Sequence, residues 1–89
     1  MEFDWDEANI EHIAAHDVEP EEAEAAFFGF RVPLKVRIVD GEQRQAFLGS
    51  VGERILLVAY TIRSNRVRVI TAYNANPTHC RQYQKKRGR

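Results

Sequence analysis

The 89-residue sequence predicts an α+β domain: two N-terminal helices packed on a four-stranded antiparallel meander sheet, closed by a short C-terminal helix. Three observations carry this. Apolar residues up to about position 30 recur three and four apart, as on one face of a helix. From Val32 the period drops to two, as in half-buried strands, and short turn signals separate each run from the next. Finally, Asn76-Pro77 reads as the cap and first position of a last helix.

The first helix starts at Asp4-Trp5-Asp6-Glu7, where Asp4 is the expected cap and Glu7 reaches back to it. Ile10, Ile13 and Ala14 share its inner face, and it should end near His16-Asp17. Glu19-Pro20 opens the second helix, with proline where a missing N–H costs nothing. Ala23, Ala26 and Phe27 form its stripe and Gly29 is its stop. Val32, Leu34, Val36 and Ile38 then alternate with Arg31, Pro33, Lys35 and Arg37. This predicts one half-buried strand with a basic open face, placed at an edge by Pro33. Asp40-Gly41 is a hairpin turn. The next strand spans roughly 43–48, then a turn at 49–53, an apolar strand at 54–63, a turn at Ser64-Asn65, and a last strand at 66–72. The final helix is expected to fray from Lys85. The whole chain, 1–89, reads as one domain without repeats or linkers.

Composition excludes several classes. Hydrophobic residues are 44% and charged residues 29%, which suits a globular protein and not a disordered one. No apolar run approaches the ~20 residues of a membrane span, and the acidic start is not a signal peptide. A single cysteine, Cys80, rules out an intramolecular disulfide and fits the cytoplasm. The zero net charge conceals an asymmetry. Residues 1–30 hold ten of the 13 acidic residues and none of the 13 Lys and Arg, leaving three acids and every base to residues 31–89. Either the two parts neutralise each other in the fold, or the basic part meets a phosphate-rich partner.

The candidate chemistry is therefore basic and aromatic. Arg44, Arg63, Arg66 and Arg68 lie on three successive strands or their ends, and same-face guanidiniums from adjacent strands would form one phosphate-binding patch. Tyr60, Tyr73 and Tyr83 are available to stack on bases or donate a proton. The alternative is that these arginines only keep an edge soluble, paired with Glu42 or Glu53. His12 and His16 have i, i+4 spacing, but no third ligand lies near them, so neither a metal nor any other cofactor is expected. Cys80 has no evident base and reads as inert.

The stretch FDWDEANIEHIAAHDVEPEEAEAAFF resembles the opening of the BrnT toxin family, with Phe3, Trp5, Asp6, His16, Val18, Glu22, Ala23 and Phe27 at the pattern positions. GERILLVAYTIRSNRVRVITA is similar to the family's strand pair through Thr61, Arg63, Arg68, Ile70, Thr71 and Ala72. The resemblance implies the toxin of a type II toxin–antitoxin pair: a small metal-independent ribonuclease of RelE-like fold, held by a BrnA-like, DNA-binding antitoxin. It leaves open a homo-oligomer or a hetero-oligomer with the antitoxin. In such a mechanism the RNA 2′-hydroxyl attacks its own phosphate. Arg44, Arg63 and Arg68 would stabilise charge, His79 would serve as acid or base, and Tyr73 or Tyr83 would orient or donate. Arg66, Tyr60 and Tyr83 would contact RNA. The chain departs from the family in its C-terminal motif. Tyr73 stands where an arginine is usual, His79 where an acid is common, and Asp17 where glycine follows the helix histidine. An alternative reading is thus a catalytically weak or inactive module that still binds an antitoxin. A third is a regulatory nucleic-acid binder.

Overall fold

The computed structural model describes residues 1–88. Its elements run α1 (Glu7–Ala14), α2 (Pro20–Ala26), β1 (Val32–Pro33), β2 (Arg37–Val39), β3 (Glu42–Val51), β4 (Arg54–Arg63), β5 (Arg66–Asn74) and α3 (Pro77–Arg87). The fold is the expected α+β arrangement, with five strands in place of four. β3, β4 and β5 form an antiparallel meander, and β1 and β2 both pair with the outer side of β3. No helix among the described residues is long and apolar enough to cross a membrane.

Strand alternation divides the core into two layers. Phe47, Leu56, Val58, Val67, Val69 and Ala72 face α1 and α2, meeting Ile13, Ala23, Ala26 and Phe27. Leu48, Ile55 and Leu57 face the other way, where Val32 and Tyr83 of α3 cover them. α2 lies so close to β3 that a Cβ at Gly49 would sit 2.6 Å from the Ala26 carbonyl oxygen. Asp40 and Gly41 both adopt positive φ, as do Ser64 and Asn65, which matches the right-handed twist of tight hairpins.

The single strand expected from Val32 is broken in two. Pro33 pairs with Phe47 but Arg37 pairs with Arg44, so four steps on this edge oppose three on β3. One extra residue reverses which side chains face the core. Val32 is therefore buried beneath α3, whereas Ile38 lies on the opposite face and is 72% exposed. A second irregularity lies on β5. Ala59 pairs with Thr71 and Tyr60 with Val69, leaving Ile70 as the additional residue of a bulge.

Both ends of the chain also differ from expectation. Asp6, not Asp4, caps α1: its carboxylate accepts from the Asn9 amide at 3.0 Å while Asn9 Oδ1 accepts from the Asp6 N–H at 2.8 Å. Asp4 is occupied elsewhere, because residues 2–4 run along the free edge of β5. The Asp4 N–H donates to the Val67 carbonyl and the Val67 N–H to the Glu2 carbonyl, each at 2.8 Å. Buried Asn9 donates to the Val69 carbonyl at 3.0 Å, which satisfies the next exposed group of that edge. α3 continues through Lys85 to Arg87, with its last turn rich in cations that suit a helix C-terminus. Arg89, the end of the expected frayed tail, lies outside the described residues.

The close approach at Gly49 gives a direct test. Gly49→Val should cost about 1–3 kcal/mol, read as a lower urea midpoint. An unchanged midpoint would contradict the packing of α2 against β3.

Candidate functional site

α3 is 11 residues long and covers only part of its face of the sheet. Beside it lies an open groove of 580 Å³. The floor is made of small or apolar side chains from the meander, Ala46, Leu57, Ala59, Ile70 and Thr71. Lys35 and Arg37 come from the β1–β2 edge, Arg44 from β3, Tyr73 from β5 and His79 from α3. His79 is set by the local sequence: Asn76 caps α3 and its side chain accepts the His79 backbone N–H at 2.8 Å, which places His79 in the first turn of the helix. The bulge at Ile70 turns Thr71 and Tyr73 to the same face as Ala59 and Leu57, their partners on β4.

Arg44 is the most informative member. Its Nε is shut away from solvent and makes no hydrogen bond among the described residues. Glu42 Oε1 lies 3.6 Å away, an ion-pair distance equal to that between Arg66 and Glu2 but too long for a hydrogen bond. The side chain as a whole is 35% exposed, however, so part of it remains open to the groove that it lines. Lys35 and Arg37 form no ion pair among the described residues.

The other predicted arginines sit differently. Alternation places Arg63, Arg66 and Arg68 on the α3 face, but each is engaged by a carboxylate. Arg63 grips Glu42 through two bonds, 2.7 and 3.2 Å long. Arg68 binds Asp6 at 2.7 Å and lies 3.6 Å from Asp4. Arg66 lies 3.6 Å from Glu2. The acidic N-terminal segment thus neutralises the basic strand it runs beside. The Arg63 hydrogen bond holds the Glu42 carboxyl below the usual range. The Asp6 carboxyl is lowered first by the Asn9 backbone N–H and then by Arg68. Glu22 is lowered by the Glu19 N–H and by Arg54.

Two of the tyrosines expected to meet RNA lie away from the groove. Tyr83 is 1% exposed, in the core beneath α3, and its hydroxyl donates at 3.2 Å to the Phe30 carbonyl or to Ser50 Oγ. Tyr60 lies on the α2 side, its ring 5.2 Å from that of Phe27, and its hydroxyl donates to Gln45. Neither reaches the groove. Of the eight expected site residues, Arg44, Tyr73 and His79 come together there. Lys35, Arg37 and Thr71 join them. The basic alternation of residues 31–37 was a visible signal for the two cations, but only the register slip turns Arg37 toward the groove.

His12 and His16 stack edge to face at 5.5 Å, and His12 Nε2 shares a 3.1 Å hydrogen bond with Thr71 Oγ1. Among the described residues, no group of three His, Cys, Asp or Glu side chains is arranged to hold a metal ion.

Residues 5–79 match a family model described as "Ribonuclease toxin, BrnT, of type II toxin-antitoxin system". The matched span contains every groove residue named above. Neither the curated proteins nor the solved structures gave a match.

The ion pairs predict a signed pH dependence. A carboxyl with a lowered folded pKa stabilises fully above its unfolded value, about 4, and loses that contribution as pH falls through the folded value. Stability should therefore decline on acidification below about pH 4. Glu42→Gln should make that decline shallower in urea titrations at stepped pH. An identical acid slope in the variant would contradict the Arg63–Glu42 pairing.

Proposed function

The chain belongs to the BrnT family of ribonuclease toxins of type II toxin–antitoxin systems, and from that premise we propose that it cleaves RNA in the groove between β2 and α3, without a metal ion. The observation that carries this reading is the convergence of Arg44, Lys35, Arg37, His79 and Tyr73 on one open groove. A phosphodiester fits such a rim, where the three cations offset its charge.

The chemistry then follows from RNA itself. The 2′-hydroxyl attacks the adjacent phosphorus, forming the 2′-O–P bond as the P–5′-O bond breaks. The products are a 2′,3′-cyclic phosphate and a 5′-hydroxyl. His79 takes the 2′ proton, and histidine is suited to this because its type titrates near neutrality. The Tyr73 hydroxyl gives a proton to the departing 5′ oxygen, and the proton held by His79 then returns to the phenolate through water, which restores both groups. Arg44 bears the charge that grows on the non-bridging oxygens. Tyr73 and His79 are two of the positions where this sequence departs from the family pattern, and they line one groove. The changes are thus read as paired: an arginine and an acid give way to a phenol and an imidazole.

As a type II toxin the chain has an antitoxin partner. We take that partner to be a BrnA-like DNA-binding protein acting with it in the cytoplasm. A second reading is favoured by the close ion pairs of Arg63 with Glu42 and Arg68 with Asp6, each at 2.7 Å, which offset two of the cations an RNA surface would use. In that reading the chain binds its antitoxin without cleaving RNA.

The test is RNA cleavage by purified, partner-free protein in EDTA. The expected products carry cyclic phosphate ends. Arg44→Ala should slow the reaction about 10²–10³-fold and His79→Ala about 10²–10⁴-fold. Folded protein that leaves RNA intact, and whose expression does not arrest growth, would overturn the ribonuclease reading and leave the binding module.

A further inference from the structure

A second pocket, of 450 Å³, lies between the end of α1 and the end of β5, and Tyr73 belongs to both it and the groove. Its other walls are Ala15, His16, Asp17 and Asn74. We propose that this pocket is a nucleobase subsite selective for guanine, seating the base next to the phosphate held in the groove. The inference rests on the RNA reading above.

Two aromatic rings supply the stacking surface. The His16 and Tyr73 rings lie 5.8 Å apart and are tilted by 56°, so they form an open V and do not cover each other's faces. Stacking on such rings is tolerant of base identity. Selectivity must come from the polar pair beside them, Asn74 and Asp17.

One guanidinium presets that pair. Arg54 donates through Nε to Asn74 Oδ1 at 3.1 Å, through NH2 to the Asp17 carbonyl at 2.8 Å, and through NH1 to Glu22 Oε2 at 2.7 Å. With Oδ1 occupied, the Asn74 amide presents its NH2 group as a donor. Asp17 is held at φ 63, and its carboxylate makes no hydrogen bond or ion pair among the described residues. A donor beside a two-oxygen acceptor complements the Watson–Crick edge of guanine, whose O6 accepts while N1–H and N2–H₂ donate. Uracil offers the same first two groups and lacks the third. Adenine would set its N1 lone pair against the carboxylate. Cytosine would do the same with N3.

The experiment uses 2′-O-methyl tetranucleotides, which cannot be cleaved because the attacking hydroxyl is blocked. Each carries one guanine, inosine or adenine in a cytosine background, and binding to the full chain is measured by fluorescence anisotropy. The guanine oligonucleotide should bind about tenfold more tightly than the adenine one, in line with the discrimination of one bidentate pair. Inosine, which lacks the 2-amino group, should fall between. Asp17→Asn keeps the backbone conformation, since asparagine tolerates positive φ, and should abolish the preference. Tyr73→Ala should weaken all three oligonucleotides alike. Equal affinities, a guanine preference that survives Asp17→Asn, or no binding would each overturn the inference. Guanine-selective binding by a protein that cleaves no RNA would sustain the subsite and overturn the ribonuclease reading. Cleavage without base preference would do the reverse.

Discussion

A three-stranded meander has two faces, and this chain has enough helix to cover one and a half of them. α1 and α2 seal the first face over Phe47, Val58 and Val69. On the second, α3 reaches only as far as Leu48, Ile55 and Leu57, which it covers with Tyr83. Large apolar side chains on the uncovered half are partly exposed to water. It is floored by Ala46, Ala59 and Thr71 together with Leu57 and Ile70, and rimmed by cations. The groove follows from this shortage of covering helix, and its concave, positively charged form follows from the residues a half-covered sheet tolerates.

Two one-residue irregularities complete it. The slip between β1 and β2 brings Arg37 to the groove and sends Ile38 to the far face. The bulge at Ile70 brings Thr71 and Tyr73 into line with β4. Because side chains alternate along a strand, each extra residue reverses everything beyond it. Bulges beside functional sites commonly re-aim side chains in this way. The same edge strand explains how charge is distributed. Residues 2–4 close the edge of β5 and bring Glu2, Asp4 and Asp6 against Arg66 and Arg68. The lopsided charge of the sequence is thus partly settled inside the fold, and the cations without an ion pair among the described residues are Lys35 and Arg37 at the groove, Arg31 over the Phe47 ring, and those along α3.

Much of this was legible in the residues. The Glu19-Pro20 and Asn76-Pro77 helix starts, the Asp40-Gly41 and Ser64-Asn65 turns and the apolar strand 54–63 depend on local chemistry, and the structure places them there. What was not legible depends on partners distant in sequence. The cap of α1 moved from Asp4 to Asp6 because Asp4 was recruited by Val67. Tyr83 looked available for stacking, yet its position on α3 turns it into the core. Arg63 and Arg68 looked like phosphate ligands, but which carboxylates would meet them depended on the path of the N-terminal segment. Arg37 was visible as part of a basic face, and only the register of β2 against β3 decides which way that face points.

The central claim is that RNA phosphate enters the groove at Arg44, and not the ion-paired end of the sheet at Arg63, Arg66 and Arg68. Nitrogen-15 NMR of the arginine Nε signals, recorded while uncleavable RNA is added, reads this most directly. The account predicts that Arg44 Nε shifts most, accompanied by the backbone amides of Arg37 and His79, while Arg63 and Arg68 Nε stay in place. Large shifts at Arg63 and Arg68, with Arg44 unmoved, would contradict it.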